Sequence, residues 1–234
     1  MSNDAVRYEL RGSVAVLQMD DGKANALSHS LIDELLAALD RAEKEATAVL
    51  LTGRPGKLCA GFDLRTMMSG VQAARDLVTH GAEMYLRLYE FPAPVVVVCT
   101  GHAMAGGAVL LLTADTRLGA DGPFKIGLNE ISIGMPLPLF VQELARDRLA
   151  TAHRVAATIQ ATIYDPASAV EVGFLDRVVA PDELADEAMK VATELAKLPA
   201  EAHGLTKQRM RAPVADRVRA TLAEDMARIT PPQG

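Results

Sequence analysis

Two short stretches carry the residue types from which a site for a carbonyl oxygen can be built. Lys57-Leu-Cys-Ala-Gly-Phe-Asp-Leu64 and Gly101-His-Ala-Met-Ala-Gly-Gly107 each follow a run that reads as a buried strand, and each leads into a helix. Small residues such as Ala60 and Gly61 let a ligand approach the backbone closely. N–H groups in the first turn of a helix lack an internal partner and carry partial positive charge. Two such turns converging would hold an oxyanion between backbone donors, each worth roughly 3–4 kcal/mol of transition-state stabilisation in well-studied hydrolases. Taken singly, either stretch is more often an ordinary strand-to-helix turn of an α/β fold than a site.

Other chemistries lack their residues. No G-x-G-x-x-G follows a strand, and no G-x-x-x-x-G-K-[ST] occurs, so the common nucleotide loops are missing. No G-x-S-x-G elbow supplies a serine nucleophile. The histidines at 29, 80, 102, 153 and 203 are scattered, none paired at i, i+4, which speaks against a metal site.

The elements that would position the two stretches read as follows. Arg7–Leu10 and Ser13–Met19 form a hairpin about Arg11-Gly12. A helix from about Leu31 to Lys44 starts at Ser28 or Ser30, with Leu31, Leu35, Leu36 and Leu39 on one face. Ala48–Thr52 and Val95–Cys99 are continuous apolar strands, buried on both sides. Gly53–Gly56 reads as a loop, a long helix runs from about Val71 to Tyr89, and Pro92 and Pro94 stop it. A short apolar helix ends at Ala114, and brief strands follow at Thr116–Ala120 and Phe124–Ile126. Beyond Pro138 helices dominate, with one strand near Asp176–Val179. The tail Pro231–Gly234 is expected to fray.

The 234 residues suit one α/β core with a helical appendage. Half of them are hydrophobic, enough to bury a real core, and with 4% aromatics and no Trp that core is aliphatic. A net charge of −6 with no Lys/Arg run offers nucleic acid no footprint. Cys59 and Cys99 lie in apolar runs and are expected as buried free thiols in a reducing compartment. MSNDAVRYEL lacks the basic and apolar regions of a signal peptide, and the apolar run 103–113 is too short to span a bilayer. A cytoplasmic protein without membrane partners is the expectation.

Leu58-Cys-Ala-Gly-Phe-Asp-Leu64 resembles the first signature loop of the crotonase superfamily, the enoyl-CoA hydratases and isomerases. Gly101-His-Ala-Met-Ala-Gly-Gly107, with Asp115 closing its helix, resembles the second, and the spacing also fits. The likeness runs from the first hairpin to about residue 211. It implies a spiral of ββα repeats over 1–195, a C-terminal helical trimerisation or covering region over 196–234, and a homotrimer or dimer of trimers. It also implies an acyl-CoA thioester substrate, with CoA part of the substrate and no separate cofactor. The oxyanion N–H groups would belong to Phe62 and Gly106, and Ala60, Gly61, Phe62, Asp63 and Leu64 would line the CoA site with Gly106. The chemistry is coherent, because a thioester loses an α or γ proton only if its enolate oxygen is stabilised, which two aimed dipoles do without a metal.

Family hydratases usually carry two glutamates. One belongs three residues beyond the oxyanion glycine, where this chain has Val109, which cannot move a proton. The other is Glu130, and Ile126-Gly-Leu-Asn-Glu130 followed by Ile133-Gly-Met-Pro136 resembles the isomerase branch. Moving a double bond from the 3,4 to the 2,3 position takes one proton off C2 and returns one at C4, which a single carboxylate can do. Such a base contributes about 10²–10⁴-fold. The resemblance therefore implies a Δ3,Δ2-enoyl-CoA isomerase of fatty acid metabolism, the alternatives being an enoyl-CoA hydratase (a lyase) of the same family or a CoA-binding protein with a degenerate site. The apolar setting of Glu130 predicts a pKa raised by desolvation.

Of the remaining polar residues, His102 is expected to pack or bond to backbone, Asp63 to cap the next helix, and Glu83 and Glu90 to be solvated. Arg54, Lys57, Lys207, Arg209 and Arg211 are candidates for CoA phosphates, with a solvated charge the simpler reading of each. Met67, Met68, Met84 and Met104 are expected in the core or along a pocket.

Overall fold

An alternating run, VRYELR, and a nearly continuous apolar one, VAVLQM, joined by a Gly12 turn at φ 61, make the first hairpin, β1 (Val6–Arg11) antiparallel to β2 (Val14–Met19). The computed structural model describes residues 4–231, so most of the tail expected to fray lies outside the described residues. Helix α1 (His29–Glu45) follows, capped by the Ser28 hydroxyl, which accepts from the Leu31 N–H at 3.3 Å.

The chain then makes three similar passes. The first is β3 (Ala48–Thr52), β4 (Gly56–Cys59), α2 (Leu64–Met68) and α3 (Val71–Tyr89). The second is β5 (Val95–Cys99), β6 (Gly101–Met104) and α4 (Gly106–Thr113). The third is β7 (Thr116–Ala120), β8 (Ile126–Gly127), a 3₁₀ turn (Glu130–Ile133) and α5 (Leu139–Arg148). Each pass gives one strand to a six-stranded sheet, ordered β1-β2-β3-β5-β7 and completed by β9 (Arg177–Val179), and one to a smaller parallel sheet, β4-β6-β8. This is the expected spiral of ββα repeats. The valines and leucines of β3 and β5 are buried on both faces, as their unbroken apolar runs require.

Two strands stand where loops were expected. Gly56–Cys59 and Gly101–Met104 pair in parallel, Gly56 opposite Gly101. Four residues with glycine at the start show no readable alternation. The glycine serves close approach of the strands, since a Cβ on Gly101 would lie 2.0 Å from the Gly56 carbonyl carbon. The third strand of that sheet is Ile126–Gly127 rather than Phe124–Ile126.

The C-terminal third is helical, as expected: α6 (Arg154–Thr158), α7 (Pro166–Val172), the short strand β9 (Arg177–Val179), α8 (Leu184–Leu195) and α9 (Ala200–Met226). Helix α8 covers one face of the large sheet through Leu184, Ala188 and Ala192, and α9 packs on α3 and α5. Lys207 and Arg211 were expected as solvated charges or phosphate ligands, and both are buried. Lys207 Nζ meets Asp115 Oδ2 at 2.5 Å, and Arg211 Nη2 meets Asp115 Oδ1 at 2.8 Å. Arg211 also donates to the Thr113 and Ala114 carbonyls at 3.0 and 3.1 Å, placing its charge on the negative end of α4. Arg209 is exposed. Ile229 is buried and its carbonyl accepts from Arg75 of α3 at 3.3 Å, so this end of the chain lies on its own core. Among the described residues no helix is long and apolar enough to cross a membrane.

Candidate active site

The small parallel sheet brings together the three segments that lead into the expected site residues. Ala103 lies opposite both Cys59 of β4 and Ile126 of β8, and Met104 lies opposite Gly127. Beyond the carboxyl ends of these three strands come Ala60-Gly61-Phe62, Ala105-Gly106 and Asn129-Glu130. Ligands of open parallel sheets sit at such ends. The Ala105 N–H donates to the Gly127 carbonyl at 2.9 Å, tying the second exit to the third.

Leu27 sets the direction of the Phe62 N–H. Its N–H donates to the Gly61 carbonyl at 2.8 Å, and its carbonyl accepts from the Asp63 N–H at 3.0 Å. Alternation along the extended backbone then turns the Phe62 N–H the other way, and it meets no acceptor among the described residues. Gly106 is the first residue of α4, where an N–H has no helical partner. Ala105 before it holds φ 50 and ψ −124, a strained conformation costing about 1–3 kcal/mol, which turns the chain sharply from β6 into α4. Gly61 holds φ 98, and a Cβ there would lie 3.0 Å from the Ala105 Cβ and 3.3 Å from the Gly106 nitrogen. The two turns are therefore in van der Waals contact.

The acidic residues divide cleanly. Asp63 caps α2 as expected, accepting from the Thr66 N–H at 2.9 Å and its hydroxyl at 2.8 Å, and these bonds hold its carboxyl below the usual range. Glu130 is 8% exposed at the start of the 3₁₀ turn, and its Oε2 has no hydrogen-bond partner. Burial pushes its carboxyl up to about 7, against the weaker opposing pull of its own backbone N–H. Glu143, similarly buried, is paired with Arg146 at 2.8 Å and Arg217 at 3.2 Å. Ala60 and Leu64 lie exposed at the rim. Val109, three residues beyond Gly106, is buried in α4.

One residue of the site had no signal in the sequence. Tyr85 reads there as an apolar residue inside a long helix. It is fully buried, and its hydroxyl donates to the Gly106 carbonyl at 2.7 Å. Its ring meets Phe62 edge-on at 6.3 Å and Phe140 at 5.8 Å. Burial, and then the nearby Cys59 and Glu130, raise its phenol well above the ordinary value, so it stays a donor. Four residues earlier on α3, Gly81 leaves the space that the Phe62 ring fills, for a Cβ there would lie 2.3 Å from Phe62 Cε1.

Other candidates fall outside this constellation. His102 accepts from the Lys125 N–H at 3.0 Å and packs against Phe124. Lys57 is exposed, and Arg54 donates to the Lys23 carbonyl at 3.0 Å. Glu83 is exposed and Glu90 pairs with Arg219. Met67 and Met84 are core residues, but Met68 is 63% exposed, contrary to expectation, because α2 has a single turn's face to bury. Cys59 and Cys99 are buried free thiols pushed up to about 12, hence inert. Folding brings His29 and His80 together, Nδ1 to Nδ1 at 3.0 Å, although they are distant in sequence. Among the described residues no three His, Cys, Asp or Glu gather as metal ligands. A cavity of about 1020 Å³ opens beside α8, lined by Gln18, Thr52 and Phe124 among others, and holds neither Phe62, Gly106 nor Glu130.

Known proteins resemble this chain over most of its length. Residues 9–231 match the family described as Enoyl-CoA hydratase/isomerase. The human mitochondrial enoyl-CoA delta isomerase 1 is 32% identical over 91% of this chain and 72% of its own. A putative enoyl-CoA hydratase of Thermus thermophilus is 31% identical over 85% of this chain and 80% of its own. The crystal structure of an enoyl-CoA hydratase/isomerase family protein from Pseudomonas syringae superimposes with a TM-score of 0.95, 43% identity, and coverage of 97% of this chain and 98% of the other. The chain belongs to the enoyl-CoA hydratase/isomerase family, within the crotonase superfamily, whose members act on acyl-CoA thioesters.

Proposed function

We propose that the protein is a Δ3,Δ2-enoyl-CoA isomerase in which Glu130 shuttles one proton. The N–H groups of Phe62 and Gly106 receive the thioester oxygen, and Ala60, Gly61, Asp63 and Leu64 border the CoA. The Glu130 carboxylate takes the proton from C2, charge passes to the oxygen of the dienolate, and the same carboxyl returns the proton at C4. The double bond moves from the 3,4 to the 2,3 position with no atom gained or lost, so no separate cofactor enters.

The observation that carries this reading is a buried Glu130 in a chain that has valine at 109. Glu130 is a buried carboxyl with a free oxygen and a pKa of about 7, suited to both removing and returning a proton near neutrality. Valine at 109 leaves water without the second carboxylate that would orient it. The likeness to the human isomerase supports the same choice, and the likeness to the Thermus hydratase makes hydration the rival. Incubation with a 3-enoyl-CoA and, separately, a 2-enoyl-CoA tests it. The first is expected to be converted to the 2-enoyl isomer. Fast hydration of the second would overturn the proposal, and tight binding without turnover of either would point to a degenerate site.

Assembly as a trimer or dimer of trimers is part of the same proposal. Exposed apolar residues such as Val155 and Ile159, at 55% and 67%, support burial by another copy. Sedimentation velocity measures the state directly.

A further inference from the structure

The two backbone donors come from different turns, and something must hold them in register. Helix α3 touches both. On one face, Gly81 and Tyr85 lie at i and i+4, one above the other. The Phe62 ring sits on Gly81 and meets the edge of the Tyr85 ring, and the Tyr85 hydroxyl reaches the Gly106 carbonyl at 2.7 Å. A Cβ on Gly106 would lie 2.6 Å from that hydroxyl, so Gly106 is itself shaped to admit it.

We propose that Tyr85 is a positioning residue of the oxyanion hole, fixing the Gly106 turn through its hydroxyl and the Phe62 turn through its ring. This rests on the reading of Phe62 and Gly106 as the oxyanion donors. The Gly106 carbonyl already has a helical partner, the N–H four residues on. The phenolic bond is thus surplus to the helix and serves to restrict the turn. The orientation of a donor matters because a displacement of an ångström can cost on the order of 100-fold in rate. Phe140 stacks on the Tyr85 ring with centroids 5.8 Å apart and so restricts its tilt.

Tyr85→Phe tests the hydroxyl alone, since the ring and its contacts remain. Turnover of a 3-enoyl-CoA is expected to fall about tenfold with KM changed less than about threefold, because the substrate is bound mainly through its CoA. The second readout is acetoacetyl-CoA, whose acidic C2 proton lets it form an enolate in the site, visible in the near ultraviolet. At fixed pH and saturating ligand, the variant is expected to hold at least about threefold less enolate than wild type, with thermal stability little changed. Tyr85→Leu, which also removes the ring edge from Phe62, is expected to lose more on both readouts. Equal turnover and equal enolate in wild type and Tyr85→Phe would overturn the role of the hydroxyl. Equal losses in Tyr85→Phe and Tyr85→Leu would overturn that of the ring. Wild-type protein that binds acetoacetyl-CoA without forming any enolate would overturn the oxyanion reading itself, and Tyr85 with it.

Discussion

Gly61 and Gly106 touch across the site: a Cβ on the first would lie 3.3 Å from the nitrogen of the second, with the Ala105 Cβ 3.0 Å and the Met104 carbonyl oxygen 3.3 Å away. At φ 98 the Gly61 backbone is also strained for any L side chain. Gly61→Ala is therefore expected to push the two donors apart. Activity should fall by about 10²-fold or more, with a stability loss of about 1–3 kcal/mol. Steady-state kinetics with a 3-enoyl-CoA and thermal unfolding measure the two effects. An alanine variant with wild-type turnover would separate this contact from the chemistry.

Glu130→Gln keeps shape and burial but cannot carry a proton. Isomerase turnover is expected to drop by at least about 10²-fold while acyl-CoA binding persists. Calorimetric binding alongside turnover checks both. Activity within a few-fold of wild type would assign the proton transfer to another group.

The same substitution should stabilise the fold, and only above a certain pH. The Glu130 carboxyl titrates at about 7 in the folded chain against an ordinary 4.5. Between those values the unfolded chain has released a proton that the folded chain retains, so wild-type stability declines as pH rises through the window and levels off above it. Glutamine does not titrate. The advantage of Glu130→Gln should grow across that window to on the order of 3 kcal/mol. Urea unfolding of both proteins at several pH values measures it, and a pH-independent difference would contradict the assigned burial of charge.

The proposed proton transfer by an ionised Glu130 also fixes the direction of the rate profile. With the carboxyl at about 7, kcat/KM for a 3-enoyl-CoA should rise with pH, reach half its plateau near neutrality and stay level above. A flat profile between about pH 5.5 and 8 would be inconsistent with this base.

Lys207 separates structural from ligand-binding charge. Its ammonium, lowered to about 8 by burial against the pull of Asp115, lies in the cluster that locks α9 to the end of α4. Lys207→Met is expected to cost about 1–3 kcal/mol, short of the full penalty for an orphaned buried charge because Asp115 keeps Arg211. KM for the acyl-CoA should not move. A raised KM with unchanged stability would restore Lys207 as a phosphate ligand.

Local patterns in the sequence determined much of this protein. Unbroken apolar runs marked β3 and β5, the Arg11-Gly12 step marked the first hairpin, Ser28 or Ser30 and Asp63 were readable as caps, and a carboxylate in an apolar stretch foretold the raised pKa of Glu130. Each depends on neighbours within a few residues. Only the tertiary structure decided that Gly56–Cys59 and Gly101–Met104 are strands, because four residues led by glycine declare themselves only when paired with each other. It also decided that Lys207 and Arg211 are buried, since the carboxylate and carbonyls that neutralise them lie some ninety residues earlier in the chain. Tyr85 is the plainest case. Its neighbours on α3 mark it as core, and its hydroxyl acquires a partner only when α3 is laid against the start of α4. Contacts between distant segments are set by the packing of whole elements, and no local pattern records them.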